Sequence, residues 1–567
     1  MQFATFVQSR LCQGLCALAA ILLLSGPDHA EEVTFSEAVG GSTVRIEPED
    51  MVPLLPGGRK LVPVVFPDTD PFMPTPPVLG PGLNKTAHQM LRRLFAAGKA
   101  AGNIGDLYEN RDRDHSLLRA EAFPQLTQVI YGDSARAQDM DYGLALDLSF
   151  NAPLIGNSST ALTSGAFWRS LPRMALTMGE DGSGPFRLYQ NYSSGQIHVY
   201  PEHRDHDPER GDLLPANTPY ILISQGSSGS DRAHMQALAM ILAAFSPKTK
   251  AMLRKTGLIG PTVQMVYRRA RVGVRSRAAY LSGAAHPSVF RNRDISLERM
   301  VGLANAISPE TIPPMVRLEV VKETHAQEGL DFFGEGTSEV LFNTPSAIAR
   351  VWRSRAANRS MVISTAGTRD PNGRALTFDW VVLRGNPERV KITPLDPDGR
   401  RARIDLTWQD SSPAPGAPDT MSARIDIGVF ANNGAHDSAP AFISVLLPRH
   451  EKRIYELGPD GRVRIVSLDR TRTEGVYADP LLFPETLWRD QYLYNTAGKL
   501  TGWDRFGQAG QKIGEYDAAG RRILARDRLG AVIKTAPVRY LVEQSGKKPA
   551  QLREELIGEP VPIEARQ

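Results

Sequence analysis

Cysteine is confined to the start of the chain: Cys12 and Cys16 are the two thiols in 567 residues. Their setting reads as a leader. Arg10 is the lone charge before Asp28, Leu15–Leu24 is the apolar run LCALAAILLL, and Gly26-Pro27 breaks it ahead of Ala30 and Glu31-Glu32. A positive start, a short apolar core and a small residue at the cut are the order of a secretory signal peptide, here 1–30. The run falls short of the about 20 apolar residues that a membrane span needs, although a retained anchor is the competing reading. No later stretch is apolar enough to span, and no cysteine follows a small-residue box as in a lipoprotein. Cleavage after Ala30 would leave no cysteine. Disulfides, cysteine metal ligands and a cysteine nucleophile would then be excluded, and stability would have to come from burial. The chain is expected to be periplasmic or extracellular.

Composition matters next for what it rules out. With 41% hydrophobic and 23% charged residues the chain is globular rather than disordered, and its length predicts about three to four domains. A net charge of +4 is too small for a dedicated nucleic-acid binder, so no nucleic-acid partner is expected.

Patterning divides the chain. Residues 31–83 carry Pro53, Pro56, Pro63, Pro67, Pro71, Pro74, Pro76, Pro77 and Pro81, too many for a helix or central strand, and read as an irregular arm wrapping the next unit. Residues 84–324 mix helical and strand spacing, predicting one α/β or α+β domain. Helices are expected at 86–100, 231–245, 262–271 and 296–307, with another opened by Pro247 and stopped at Gly257. Thr127–Tyr131, Leu144–Phe150 and Tyr220–Ser224 read as strands, and FRLYQNYSSGQIHVY (186–200) as a hairpin around Ser193-Ser194-Gly195. A linker at 325–345 leads into a β-rich stretch, 346–449, with strand pairs in 359–385 and 423–448. Residues 450–540 repeat a [D/N/G]-x-x-G core at Gly461, Gly498, Gly510, Gly520 and Gly530, each predicting a hairpin with glycine at positive φ. Residues 541–567 read as a loose tail. The fold class is therefore multidomain: an N-terminal α/β domain, a β-sandwich and a β-hairpin repeat tail.

Two segments resemble known families. Ser364 … Asp370-Pro371-Asn372-Gly373 … Leu376-Thr377-Phe378-Asp379-Trp380 is similar to the signature of PKD-type and related immunoglobulin-like domains, and IDIGVFANNG…APAFISVLL (425–447) resembles their closing hairpin. The resemblance implies a sandwich with Trp380 in its core. VVLRGNPERV after Trp380 departs from the aspartate-rich turn of those families, so calcium binding is not implied. The 450–540 repeats are similar to YD repeats of Rhs-type surface proteins. As a whole, LYENRDRDHS (107–116), GNSSTALTSGAFWRSLPR (156–173), ISQGSSGSD (223–231) and GAAHPSVF (283–290) resemble a family of uncharacterised secreted bacterial proteins, which implies export.

Seven histidines between 88 and 286 direct the search for chemistry to the α/β domain. YILISQGSSGSD (220–231) places a Gly-Ser turn between a strand and a helix, where open α/β sheets form sites. Gly226 and Gly229 allow a tight turn whose amides could receive an anion, and Ser227 or Ser228 could act as nucleophile, although G-x-S-x-G spacing is absent. Ser230 is equally a plain N-cap. YPEHRDHDPERGD (200–212) offers His203 and His206 among Asp205 and Asp207. The set suits a divalent metal or a general base with its orienting carboxylate, or is a solvated loop. Asn157 and Ser158 form a second polar turn able to hydrogen-bond a ligand. Asp114-His115-Ser116 reads chiefly as a surface cluster, because triad members approach from different elements. Arg268, Arg269, Arg271, Arg275 and Arg277 form a basic stripe, for an anionic polymer or as a solvated face.

Two functions follow as expectations. One is an exported hydrolase acting on a polysaccharide or other polymer, serine- or metal-dependent, with Ser228 as nucleophile, His206 as base and Asp205 or Asp207 orienting it. The alternative is a non-catalytic periplasmic or surface binding or assembly protein.

Overall fold

The computed structural model describes residues 35–38, 41–54, 59–66, 74–113, 115–143, 148–158, 183–201, 216–226, 229–333, 338–414, 417–422, 424–448, 451–471, 486–543 and 551–562. The leader 1–30 lies outside them. No helix of the described residues is long and apolar enough to cross a membrane.

The N-terminal unit is built from β1 (Phe35–Ala38), β2 (Gly41–Ile46), β3 (Val52–Leu54), β4 (Arg59–Val62), β5 (Leu107–Arg111), β6 (Thr127–Tyr131), β7 (Leu148–Phe150), β8 (Leu154–Ser158), β9 (Gln196–Pro201), β10 (Leu222–Ser224) and β11 (Val289–Phe290). Eight of them form one sheet in the order β1-β2-β6-β5-β8-β9-β10-β11. Every neighbouring pair from β2 to β11 is parallel, and β1 alone runs antiparallel. The strands are short apolar runs buried on both faces, as a parallel sheet covered on both sides requires. On one face lies the Arg232–Ala244 helix, buried almost all round, with the Thr86–Ala96 and Ile259–Arg269 helices beside it. The other face packs Leu107, Val129, Tyr131 and Leu154 on Val62, Met140 and Phe150.

Two expectations for this unit are corrected. The proline-rich segment is more than an arm: β2 adds to the main sheet beside β6, while β3 and β4 join β7 in a small second sheet. Of the described prolines Pro53 sits on the edge strand β3 and Pro63, Pro74, Pro76, Pro77 and Pro81 fall in links, and STVRI (42–46) ahead of them has the alternation of a strand. The 186–200 segment is not a hairpin. Ser183–Ser193 is a helix and only Gln196–Pro201 is a strand. Leu188, Tyr189 and Tyr192 are buried at helical spacing, and Gly195, at φ +82°, ends the turn.

The sandwich comprises β12 (Glu319–Glu323), β13 (Val340–Thr344), β14 (Ala347–Val351), β15 (Asn358–Ser364), β16 (Thr377–Arg384), β17 (Val390–Pro394), β18 (Arg401–Thr407), β19 (Ser412–Ala414), β20 (Ala417–Ser422), β21 (Arg424–Asn432) and β22 (Ala441–Leu446). Its sheets run β12-β15-β18-β17 and β13-β14-β22-β21-β16. The strands of 359–385 thus belong to different sheets, and the Asp370–Gly373 turn carries the chain between them. β21 and β22 pair antiparallel as expected. Trp380 is half-buried on the edge strand β16, its Nε1 donating to Gly399 O at 2.8 Å. The core tryptophans are Trp352 and Trp408, in an edge-to-face pair. An edge strand leaves one flank of a large ring uncovered, which accounts for the displaced role of Trp380.

The five-stranded sheet turns its second face to the α/β domain. Phe342, Ala347, Ala349 and Phe430 share a core with the Ile259–Arg269 helix and Tyr280. Arg268, expected on a solvated stripe, is fully buried there between Phe290 and Phe442.

Last comes a meander of β23 (Lys452–Leu457), β24 (Val463–Asp469), β25 (Trp488–Tyr494), β26 (Leu500–Gly507), β27 (Lys512–Asp517), β28 (Arg522–Arg526) and β29 (Val532–Ala536), closed by β32 (Val561–Pro562), with a hairpin of β30 (Val538–Glu543) and β31 (Gln551–Leu556). One turn recurs. In the last two copies Asp517 and Asp527 accept with Oδ1 from amides two and four residues on, while Gly520 and Gly530 donate back to the aspartate carbonyl. The repeat glycines have φ from 74° to 87°, the conformation that the motif predicts.

Candidate functional site at the carboxyl edge of the parallel sheet

Parallel strands end together, so the carboxyl ends of β5, β8, β9 and β10 lie at one edge. Asn110 and Asn157 lie opposite each other on β5 and β8. Both amides donate to the carbonyl of His115, at 2.8 and 3.1 Å, and pin the loop after β5. The same loop is fixed from the other side. Ser116, at φ +60°, accepts with Oγ from the Gly229 amide at 2.7 Å. The loop after β10 is thereby tied to the loop after β5, with Gly226 and Gly229 at φ +127° and +95° allowing the approach.

Asp231 lies beneath these loops. It is fully buried, and neither carboxylate oxygen closes a hydrogen bond of ordinary geometry among the described residues. Burial raises its pKa against the lowering influence of the nearby Ser116 and Asn157 side chains and of its own and Arg232's amides. Tyr108 is buried near Asp231. Its hydroxyl accepts from Leu118 N at 2.9 Å and lies 3.5 Å from Asn157 Oδ1, and burial pushes it up to about 12. A buried carboxyl whose desolvation outweighs the polar groups around it is expensive for a fold, and it is the kind of group from which an acid–base catalyst is made.

Asp231 also corrects a sequence expectation. Ser230 is not the cap of the following helix. The N-cap position is Asp231, which makes no side-chain cap bond, and Ser230 Oγ instead meets Ser224 Oγ at 2.9 Å. Of the serines of YILISQGSSGSD, Ser224 and Ser230 bond each other, and the buried carboxyl is that of its last residue, Asp231.

A second polar group lies on the opposite face of the sheet. Glu109 of β5 and His198 of β9 meet at 2.5 Å, and Tyr131 donates to the second Glu109 oxygen at 2.6 Å. Burial works to raise the Glu109 pKa, but His198, Arg111 and Tyr131 outweigh it and hold the carboxyl below its usual range. Ser158, at the end of β8, is fully buried, and its Oγ has no partner among the described residues.

Of the residues that the sequence singles out, Gly226, Gly229, Ser230 and Asn157 come together at this edge, and Ser158 lies at the end of the same strand as Asn157. Ser227, Ser228, His203, His206, Asp205 and Asp207 lie outside the described residues. Among the described residues no group of three or more His, Asp and Glu side chains is arranged to hold a metal ion. The other histidines have structural settings: His88 caps the Thr86–Ala96 helix, His286 bonds to Tyr280 O, and His234, paired with the Tyr267 hydroxyl, is brought down to about 3 by burial and stays neutral. His115 is exposed. Sequence reasoning singled out ENRDRDHS (109–116) but read it chiefly as a surface cluster, whereas Ser116 is buried and tied to Gly229; it gave no role to Asp231 or to the Glu109–His198 pair. The available signal was YENR, polar residues filling a strand that is otherwise buried on both faces.

No family model matches the chain, and no curated protein matches it. Among solved structures it is similar to a nucleoside hydrolase-related hypothetical protein from Saccharophagus degradans associated with carbohydrate metabolism. The identity is 10% and the TM-score 0.17, over 52% of this chain and 71% of that one.

Proposed function

We propose that the chain is an exported hydrolase acting on a polymeric substrate, with its reaction centre at the carboxyl edge of the parallel sheet and Asp231 as its acid–base group. The observation that carries the proposal is the fully buried carboxyl of Asp231, without a hydrogen bond of ordinary geometry among the described residues, where the loops after β5 and β10 are tied together. Its raised pKa would let it hold a proton to deliver to a leaving group or take one from water. Asn110, Asn157 and Ser116 position the loops around it. Ser228, two residues after Gly226 in the sequence, is the proposed nucleophile. Export rests on the 1–30 leader. The likeness of 346–449 to PKD-type modules and of 450–540 to YD repeats supports an accessory, polymer-holding role for the β units.

A second reading, polymer binding without turnover, is favoured by the amides and hydroxyls that dominate the edge, groups that match sugar hydroxyls without chemistry. The test is turnover of p-nitrophenyl glycosides and esters and of dye-labelled xylan, laminarin and pullulan by the wild type, Asp231→Asn and Ser228→Ala. The hydrolase reading expects turnover that falls at least a hundredfold in Asp231→Asn with an unchanged circular dichroism spectrum. Equal turnover in both proteins overturns the role of Asp231. Retardation of the wild type in polysaccharide gels with no turnover of any substrate establishes the binding reading in its place.

A further inference from the structure

A cavity of about 510 Å³ opens where the Ile259–Arg269 and Leu297–Ala306 helices of the α/β domain meet the 432–437 loop of the sandwich. Its wall carries four guanidinium groups, Arg269, Arg275, Arg277 and Arg299, with His436 and Asp437. The one carboxylate on the wall is already taken. Asp437 is held by Arg277 through contacts of 2.9 to 3.2 Å, and Arg277 also binds Asp379. Arg269, Arg275 and Arg299 have no carboxylate partner among the described residues.

Arg269 and Arg299 are not free to swing away. Arg299 donates to the carbonyls of Arg271, at 2.5 Å, and of Val274, and Arg269 donates to the same Val274 carbonyl at 3.1 Å. Two guanidinium groups are thus fixed side by side on backbone oxygens, with Arg275 following in the same loop. Burial, and then Arg269 and Arg275, lower the Arg299 pKa, so the neighbours repel one another. Like charges held together in a partly enclosed cavity are an arrangement that an anion relieves, and guanidinium forks match tetrahedral oxyanions in geometry. The cavity is larger than an inorganic ion, and Met265, Tyr280 and Leu303 supply an apolar wall for the remainder of a small molecule.

We propose that this interdomain cavity binds a small molecule through a phosphate or sulfate group, gripped by Arg269, Arg275 and Arg299. The site is separate from the carboxyl edge of the sheet and does not depend on the hydrolase reading. Its ligand would touch both domains and so clamp the sandwich against the α/β unit.

The test is a thermal-shift and calorimetric titration of the full chain with inorganic phosphate, inorganic sulfate and glucose 6-phosphate, against glucose and chloride at matched ionic strength. The expected result is binding of at least one of the oxyanions but not of glucose, weakened at least tenfold by Arg275→Gln. That exposed side chain makes no hydrogen bond among the described residues, so its loss leaves the fold intact. Phosphate and sulfate binding alike identify a general oxyanion grip, and binding of phosphate and its ester alone identifies a phosphate site. Arg291→Gln, in the open basic depression beside β11, serves as the control. No shift beyond that of chloride, or an equal loss in Arg275→Gln and Arg291→Gln, overturns the proposal.

Discussion

Glu109 and His198 stand 89 residues apart in the chain and on strands that are not neighbours, yet their side chains meet at 2.5 Å over the strand between them. Gly156 is what allows it. In register it lies between the two, opposite Glu109 on one side and His198 on the other. A Cβ at this position would stand 2.8 Å from the Glu109 carbonyl oxygen, 2.9 Å from its Cγ and 3.1 Å from His198 Cδ2. A strand glycine that weakens a sheet in isolation here lets a buried hydrogen-bonded pair close across it.

Gly156→Ala is therefore expected to destabilise the α/β domain by about 1–3 kcal/mol, the range for overpacking a filled interior. Glu109→Gln should also lose stability, roughly 1–3 kcal/mol, because it weakens the buried hydrogen bonds to His198 and Tyr131. Urea denaturation followed by tryptophan fluorescence measures both. A Gly156→Ala protein as stable as the wild type would show that the pair is not held in this way.

The two buried carboxyls should respond to pH in opposite directions. Glu109 is held below the usual range, so its contribution is present above the unfolded glutamate value and disappears as pH falls through its lower folded value. Asp231 is raised by burial, so stability declines as pH rises from the unfolded aspartate value towards its higher folded one. Asp231→Asn cannot ionise. Its stability relative to the wild type should be near zero in acid and grow with pH to a gain on the order of 1–3 kcal/mol, the scale of an unsatisfied buried polar group. Unfolding midpoints taken between about pH 4 and pH 8 decide this. A pH-independent difference would mean that Asp231 does not titrate as its burial requires.

Lys250 and Asp106 form a buried pair at the other end of β5. Lys250 Nζ lies 2.6 Å from Asp106 Oδ2 and 2.7 Å from Gly102 O, and Asn103 donates to the same carboxylate oxygen. Lys250→Met should cost about 3–5 kcal/mol by leaving Asp106 uncompensated, and Asp106→Asn in the same protein should restore part of it. A double-mutant cycle with no coupling energy would contradict the pairing.

The legible parts of this chain are those where spacing and punctuation agree. Pro247 and Gly257 bracket their helix as expected, Thr127–Tyr131 is a strand as read, and the repeat glycines take the turn that their motif demands. Phe186–Tyr200 reads as a hairpin because Phe186, Leu188 and Tyr192 fall on alternate positions, but Leu188, Tyr189 and Tyr192 also fit a helix face, and the structure buries that face in a helix. The polar edge was half legible. YILISQGSSGSD marked the loop, but Asp231 stood out only once its burial was visible, and no local pattern could bring Glu109 to His198.

The meander is secured by one side chain. Arg505 is buried, with contacts of 2.7 and 3.1 Å to the two oxygens of Asp490, 2.8 Å from the Tyr540 hydroxyl, and over the rings of Trp488 and Phe333. It thereby joins β25 and β26 to the β30–β31 hairpin and to the segment that follows β12. Arg505→Met would strand Asp490, with Arg470 at 3.6 Å as a partial substitute, so the loss should lie near the lower end of the range, about 3 kcal/mol. Because Asp490 and Arg505 lie far from Asp231 in the chain and in a separate core, the loss should be local. Calorimetry should resolve a meander transition moved to lower temperature, and proteolysis should begin in the 517–520 turn while the α/β domain stays resistant. A single transition at the wild-type temperature would show that the repeats are held by their turns alone.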